Sequence, residues 1–560
     1  MFIPTSKEEL DMLGWRQLDI ILVTGDTYVD SPFIGVAVIG KVLLDAGYRV
    51  GIIAQPDVTS GKDICRLGEP RLLWGITSGC MDSMISNYTS LNKRRRQDDL
   101  TGGGLNNRRP DLAVIAYTNL VRRCFKKTRP IVIGGIEASL RRISHYHYAT
   151  DSIRRSILFD AKADILVYGM GERTILELSN RIRRNHSIKD VRGICYASPE
   201  KKEGYIEIPS HADVSSDPGL FISMFKTFYQ NNDGITAKGM FQKQDSRYLI
   251  HNPPQTPLST SELDHVHELD YMRDIHPYYA PWGPVRALET IRFSLITHRG
   301  CYGECHFCSI SVHEGRTVTD RSEASILKEA SVLTRHPEFK GIIYYAGGPT
   351  ANMFGIECER KKKRGACRHK RCLSPVVCEK LAVNHGPQIA LLKRLKELPK
   401  VKKVSIGSGI RHDLILADKT HGRKYLEEII RHHISGQLKV APEHSEDHVL
   451  DLMGKPRIER FIEFKRLFEN INLRLKKKQF LTCYFIAAYP GCTLQDMERL
   501  RRFSHNFLKF RPRQVQIFTP SPSTPATVMY LTERSYDNSK PLFVEKNNHK
   551  KKKQKDLILK

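Results

Sequence analysis

Three cysteines, Cys301, Cys305 and Cys308, stand close together in the stretch Cys-Tyr-Gly-Glu-Cys-His-Phe-Cys. Thiolate sulfur is the usual ligand of iron–sulfur clusters, and three thiolates at this spacing can wrap three irons of a cubane [4Fe–4S] cluster. The fourth iron is then left without a nearby cysteine. An open coordination position is what a catalytic metal keeps and a structural metal lacks. The competing reading is a zinc site completed by His298 or His306. Zinc sites usually come as paired C-x2-C or C-x4-C units, with the second pair further on. The strand context of the triplet, described below, favours the cluster.

Cys358, Cys367, Cys372 and Cys378 form a second group, C-x8-C-x4-C-x5-C, in a strongly basic segment. Such a segment cannot build its own core, so a metal could organise it. Four cysteines match a tetrathiolate site for zinc or for a further iron–sulfur cluster, either of which would be net negative and offset by the nearby Lys and Arg. The irregular spacing does not choose between them, and free cysteines are the third reading. The six scattered cysteines (Cys65, Cys80, Cys124, Cys195, Cys483 and Cys492) read as small buried residues.

Elements must hold these groups in place. Apolar runs at 18–25, 50–54, 72–77, 112–117, 130–135 and 164–169 read as strands alternating with helices such as 35–47. That alternation predicts an α/β fold whose first part is a doubly wound, Rossmann-like sheet. Residues 84–110, polar, basic and Gly-rich, interrupt it and read as a long loop. From about residue 290 the alternation restarts. Strands are expected at 290–296, 341–346, 401–406, 437–441, 480–486 and 514–518, with helices at 323–335, 387–397, 423–432, 456–469 and 494–509. Six parallel βα units fit a partial (β/α)6 barrel, in which chemistry belongs at the C-terminal ends of the strands. The cysteine triplet falls there, just after the first strand. The expected organisation is an N-terminal domain over 1–210, a connecting region over 211–288, a barrel over 289–520 with its insertion at 353–382, and a basic tail over 521–560.

Bulk properties bound the partners. The 560 residues carry 89 Lys and Arg against 61 Asp and Glu, a net charge of +28. Much of the excess sits in local runs such as 93–96, 361–364, 476–478 and 550–553, and charge runs are usually solvated, so the charge alone is a weak argument for nucleic acid. No apolar run is long enough to span a membrane. The N-terminus lacks a basic segment followed by an apolar one, so a cytoplasmic location is expected, with reduced cysteines open to metals.

The barrel loops supply further candidates. Gly347-Gly348-Pro349 follows the second strand, Gly407-Ser408-Gly409 the third and Ala441-Pro-Glu-His444 the fourth. Paired glycines let a ligand approach the backbone closely, although a bare turn is the commoner reason for them. Glu443 is an acid or base by type, but a Glu at a strand end needs no function. The triplet, with Phe307 before its last cysteine, resembles the signature of radical S-adenosylmethionine enzymes. That resemblance implies that the open iron is chelated by S-adenosylmethionine, and that one electron cleaves the cofactor to a 5′-deoxyadenosyl radical. It implies that Phe307, Gly347 and Gly348 help seat the cofactor, and Gly407, read from its place after the third strand, is a weaker candidate for the same role. An electron donor such as flavodoxin or ferredoxin is implied as well.

Longer words narrow the resemblance. Ile52-Ile-Ala-Gln-Pro-Asp57, Gly134-Gly-Ile-Glu-Ala-Ser-Leu-Arg-Arg142, Gly347-Gly-Pro-Thr-Ala-Asn352, Leu438-Lys-Val-Ala-Pro-Glu-His444 and Tyr489-Pro-Gly-Cys-Thr493 are similar to the YgiQ-type radical S-adenosylmethionine proteins. The resemblance carries no substrate and no assigned catalytic residue beyond the cluster. The N-terminal domain is also similar to cobalamin-binding domains found upstream of some barrels of this superfamily. The Asp-x-His-x-x-Gly motif that supplies a lower histidine to cobalt is missing, and the chain reads Asp26-Thr-Tyr-Val-Asp30 there. Cobalamin is therefore open to question, and a lid or substrate platform is the other reading. Two alternatives to the main reading stand beside it: a methylthiotransferase-like modifier of RNA, and a non-catalytic, metal-organised RNA-binding protein. Against the first, its N-terminal three-cysteine cluster and C-terminal RNA-binding barrel are not visible.

Overall fold

Burial on both faces makes the first strands of the chain run apolar without alternation. Ile20–Thr24 and Val50–Ala54 are buried throughout, as strands of a parallel sheet covered on both sides must be. The computed structural model of the chain describes residues 1–537 and 539–559, which fall into two compact units. The first comprises Met1–Leu258 and His265–Arg292, the second Ser259–Asp264 and Phe293–Lys560.

A nine-stranded sheet organises the first unit. Val50–Ala54, Ile20–Thr24, Leu73–Thr77, Ile131–Gly134 and Ile165–Val167 lie side by side in parallel. Ile194–Ser198, Arg247–His251 and Met240–Gln244 continue the sheet antiparallel, and Ile206–Ile208 closes it, parallel to Met240–Gln244. The doubly wound part is as expected. The antiparallel extension is not, because it is built partly from residues 211–288, read above as a connector.

The run at 112–117 is not a strand. It opens the helix Ala113–Cys124, whose buried residues, Ala113, Val114, Tyr117, Thr118, Leu120 and Val121, repeat at helical spacing. A short apolar run cannot distinguish a buried strand from a helix, and the period shows only when Leu120 and Val121 are included. Residues 84–110 are no open loop. Ser83–Asn87 is helical, Tyr88 bridges Arg94, Gln97 bridges Leu105, and Asp98, Thr101, Asn106 and Arg109 are buried.

In the second unit the six expected strands appear in chain order. Ser294–Ile296 pairs with Tyr345–Gly347, Ile342–Ile343 with Lys403–Val404, and Ile410 with Val440. Gln437–Glu443 pairs with Phe480–Ala487, which pairs with Gln514–Ile517, and every one of these pairings is parallel. The helices Glu323–Leu333, Gly386–Glu397, Gly422–Glu428, Ile458–Arg474 and Leu494–Phe503 alternate with the strands. This is the partial (β/α)6 arrangement.

The basic tail also departs from expectation. Pro525–Thr532 and Asn548–Leu559 are helices, and the second buries Lys551, Gln554 and Ile558. Its lysines are not all solvated: Lys551 Nζ donates to Tyr530 Oη at 2.9 Å and lies over the same ring. Gln554 Oε1 accepts from the Ala488 amide at 2.9 Å, tying the helix to the end of the fifth strand.

Candidate iron–sulfur centre and its surroundings

The triplet lies in the loop after Ser294–Ile296 and the short strand His298–Arg299, at the carboxyl end of the first barrel strand. Gly303 is the central residue of its geometry. A Cβ placed on it would lie 3.2 Å from Cys301 Sγ, 3.7 Å from Cys305 Sγ and 3.3 Å from Arg411 Nη1. Two of the three sulfurs and one guanidinium therefore meet around Gly303, where a side chain would be tightly placed. The Gly303 amide donates to Cys301 Sγ at 3.3 Å, and the Cys308 amide to the Cys305 carbonyl at 3.0 Å, folding the loop back on itself. Burial pushes the Cys301 thiol up, as does neighbouring Cys305, and the same two influences act in that order on Cys308. A metal would discharge both as thiolates.

Sulfurs around one zinc at Zn–S of about 2.3 Å stand only about 3.8 Å apart. The triplet sulfurs are not gathered that tightly. Among the described residues, the three ligand atoms mutually within 4.8 Å belong to Glu446, His448 and Asp496. There Arg499 bonds both carboxylates, so a cation of the protein's own already stands between them. Of the two histidines that could complete a zinc site, His306 uses Nδ1 on the Leu452 carbonyl at 2.7 Å and His298 uses Nδ1 on the Thr297 hydroxyl at 2.9 Å, which leaves each Nε2 buried without a partner among the described residues.

Arg411 was not legible as a site residue. Its Nη1 donates to Cys305 Sγ at 3.4 Å, while Nε donates to Asp413 Oδ1 at 2.9 Å. Burial works against its charge, but Asp413 and then Cys305 hold the guanidinium protonated. Asp413, opposed by burial and drawn down by Arg411, titrates at about 2. The pair places a fixed positive charge against a cysteine sulfur. The position of Arg411, two residues after Gly407-Ser-Gly409, carries no pattern of its own in the sequence.

The glycine loops converge. Ser408 Oγ donates to Tyr345 Oη at 2.7 Å, and Tyr345 Oη donates to the Gly348 carbonyl, so the loops after the second and third strands share one tyrosine. Asn352 clamps them further: its Oδ1 accepts from the Arg411 amide at 2.7 Å and its Nδ2 donates to the Arg411 carbonyl at 3.0 Å. Gly347 and Gly348 are glycine for internal reasons too. A Cβ at 347 would collide with the Tyr345 ring, and one at 348 would come within 2.6 Å of His298. Gly407 lies beside the Tyr344 carbonyl, and its own carbonyl accepts from Lys439 Nζ at 2.8 Å. Phe307 packs edge-on to Tyr489 at 6.3 Å, beyond the end of the fifth strand. Glu443 ends the fourth strand with φ 70° at a register shift, and burial raises its pKa against the pull of Lys455, 3.7 Å away. His444 Nε2 lies 3.5 Å from Cys492 Sγ, joining two of the words quoted above.

The insertion is fastened to the triplet loop. Cys358, Cys372 and Cys378 share one apolar cluster with Tyr302 and Cys301. Lys361 is fully buried, and its Nζ donates to Glu304 Oε1 at 3.0 Å and to the Arg316 carbonyl at 2.7 Å. Glu304 lies between the first two triplet cysteines. The Cys372 thiol is pushed up to about 11 by burial, with Lys361 pulling the other way. Cys367 stands apart from this cluster and accepts from the Arg360 guanidinium. Of the scattered cysteines, Cys195, Cys483 and Cys492 are buried as expected, Cys80 and Cys124 are half-buried, and Cys65 is exposed.

In the first unit the loops at the carboxyl ends of the parallel strands are filled by the chain's own polar groups. Asp26 and Arg109 are both fully buried and pair at 2.5 Å, and Arg109 also pairs with Asp98 at 3.0 Å. Arg109 Nε donates to the Gly25 carbonyl at 3.1 Å, and Asp26 Oδ2 accepts from the Cys80 amide at 2.6 Å. Gln55 spans from Thr27 Oγ1 at 2.9 Å to Thr101 Oγ1 at 2.7 Å. Glu137 accepts from the amides of Ser83 at 2.8 Å and Val114 at 3.1 Å.

Residues 2–294 match the family description Radical SAM N-terminal, and residues 295–504 match Radical SAM superfamily. A UPF0313 protein of Fusobacterium nucleatum is 53% identical over the whole of this chain and 98% of its own length. The chain belongs to the UPF0313, or YgiQ, family of radical S-adenosylmethionine proteins. A UPF0313 protein of Thermotoga petrophila, 45% identical, covers 100% of this chain and 98% of itself. Among solved structures, the radical S-adenosylmethionine methyltransferase TsrM of Kitasatospora setae, with cobalamin and a [4Fe–4S] cluster bound, has a TM-score of 0.53 at 13% identity, covering 96% of this chain and 81% of TsrM. The cobalamin-dependent radical enzyme OxsB with aqua-cobalamin bound has a TM-score of 0.50 at 13% identity, over 94% of this chain and 57% of OxsB. These neighbours show the shared fold. As a member of its family this UPF0313 protein is a radical S-adenosylmethionine enzyme that uses a [4Fe–4S] cluster and S-adenosylmethionine. No described helix is long and apolar enough to cross a membrane.

Proposed function

We propose that this UPF0313 protein cleaves S-adenosylmethionine reductively and turns the product on a substrate other than the cofactor, with Cys301, Cys305 and Cys308 as the cluster ligands. The observation that carries the reading is the meeting of two triplet sulfurs and a buried Arg411 around Gly303 at a barrel strand end. When bound, the cluster and S-adenosylmethionine supply a one-electron cleavage that yields a 5′-deoxyadenosyl radical. The chain's own residues do the rest. Arg411, kept charged by Asp413, offsets the negative charge that three thiolates bring into a buried loop. Phe307 packs on Tyr489 and walls one side. The loops carrying Gly347, Gly348 and Gly407, zipped by Tyr345, Ser408 and Asn352, form the rigid seat for the cofactor. Preorganisation of this kind removes the cost of ordering loops at the moment of binding.

The insertion cysteines are read as a second metal site, with Cys358, Cys372 and Cys378 in one apolar cluster and Cys367 beside Arg360. Cobalamin does not fit the first unit as it is built. Its neighbours by fold hold that cofactor, but here the strand ends carry the Asp26–Arg109–Asp98 network, whose carboxylates share one guanidinium and accept from the Cys80 amide and the Thr101 hydroxyl. The first unit is read as a lid or substrate platform. The test of the cluster assignment is spectroscopic. Anaerobically reconstituted, reduced protein should give an electron paramagnetic resonance signal that changes when S-adenosylmethionine is added. A signal that ignores the cofactor would overturn the open-iron assignment.

A further inference from the structure

The basic insertion has no role in the reading above. Between residues 358 and 378 its cations, the Arg360–Arg364 run with Arg368, Lys370 and Arg371, stand against a single acidic residue, Glu359. Lys361 is buried and spent on Glu304. Lys362, Lys363, Arg364, Arg368 and Lys370 are exposed. Two exposed pairs, Lys362 with Glu357 and Lys363 with Glu359, neutralise little, since exposed ion pairs are weak and screened. The result is a concentrated positive face.

That face is attached to the triplet loop at three points. Lys361 reaches Glu304, Arg316 Nη2 donates to the Cys367 carbonyl at 3.2 Å, and Cys301 packs in the same apolar cluster as three insertion cysteines. Whatever docks on the insertion is brought beside the cysteine-held centre. The chemistry there needs an electron from outside. Like-signed faces repel and opposite ones steer, so a partner for this surface carries clustered carboxylates.

We propose that the insertion 358–378 is the docking surface for an acidic, one-electron donor protein. The proposal rests on the cluster assignment for Cys301, Cys305 and Cys308. In the step it serves, the donor is oxidised by one electron and the centre held by those cysteines is reduced by one, with no bond made or broken between the two proteins. A small, strongly charged patch suits such an encounter, because redox complexes bury little area and must part after each transfer. Nucleic acid is the less fitting occupant. Binding of single strands relies on aromatic rings that stack on bases, and residues 358–378 contain no Phe, Tyr or Trp.

The experiment compares wild type with the variant K362Q/K363Q/R364Q/R368Q/K370Q, none of which touches a triplet cysteine. Two readouts are taken: binding of an acidic flavodoxin at low and raised salt, and 5′-deoxyadenosine formation driven either by reduced flavodoxin or by dithionite with methyl viologen. The proposal expects flavodoxin binding and flavodoxin-driven rate at limiting donor to fall roughly tenfold or more. The viologen-driven rate stays within about twofold, and the salt dependence of binding largely disappears. Unchanged flavodoxin binding in the variant overturns it. So does loss of co-purifying RNA with flavodoxin binding intact. A wild type that binds flavodoxin through this face yet forms no product with viologen supports the docking surface and contradicts the cleavage reading, so the two failures are told apart.

Discussion

Gly303 and Arg411 carry the sharpest consequences of this site at the scale of single residues. Alanine at 303 would put a methyl group 3.2 Å from Cys301 Sγ and 3.3 Å from Arg411 Nη1. Those are tight contacts beside two of the proposed cluster ligands. Gly303→Ala should therefore lower iron bound per chain after reconstitution by half or more while far-ultraviolet circular dichroism stays unchanged, whereas a variant with wild-type iron would show that the cluster does not sit against Gly303. Asp413 raises a different question. Its carboxylate, titrating at about 2, is the counter-charge of a buried guanidinium. Asp413→Asn leaves that charge unpaired, which costs about 3–5 kcal/mol when the surroundings cannot relax. Denaturant unfolding should show that loss, and Arg411→Met added to Asp413→Asn should recover part of it. The sequence pointed to the cysteines because their spacing is itself the ligand pattern. It did not point to Arg411, because one arginine after a strand has no pattern until the fold brings it to Cys305.

Elements were legible where the period of burial was long enough to read. All six barrel strands and their five helices stood out, since strands with an alternating buried face, such as Phe480–Ala487, follow helices having one apolar stripe. The run at 112–117 misled because six residues contain less than two turns of helix. The stretch 211–288 was opaque for another reason: its proline-rich ends hide a hairpin, 240–251, that completes the first sheet. The tail shows how composition can mislead. Lysine-rich sequence suggests a solvated strand of chain, yet 548–559 forms a helix whose Gln554 bonds Ala488 and whose Ile558 is buried. Burying one isoleucine is worth about 1.5–3 kcal/mol. Removing residues 547–560 should then lower the thermal midpoint of the second unit by roughly 4 °C or more. A truncated protein with an unchanged midpoint would mean that the helix packs on nothing that matters.

For the whole molecule, the fold is shared with cobalamin-bearing enzymes, while the first unit carries a buried ion network at its strand ends. The Asp26–Arg109–Asp98 network closes the strand ends where an open α/β sheet ordinarily takes its ligand. Protein expressed with ample cobalamin should purify without corrinoid absorbance, and added corrinoid should leave turnover unchanged; stoichiometric corrinoid would move the function toward radical methylation. The missing histidine motif hinted at this. Only the structure supplied the physical reason, because a buried arginine with two carboxylates cannot be read from residues 26, 98 and 109 in sequence. The central claim stands on the triplet. Its most direct measurement is 5′-deoxyadenosine formed per reconstituted chain under strong reductant, wild type against Cys305→Ala. The wild type is predicted to form it and the variant to form none, with the variant's fold retained by circular dichroism. A Cys305→Ala protein that makes 5′-deoxyadenosine at the wild-type rate would contradict the account.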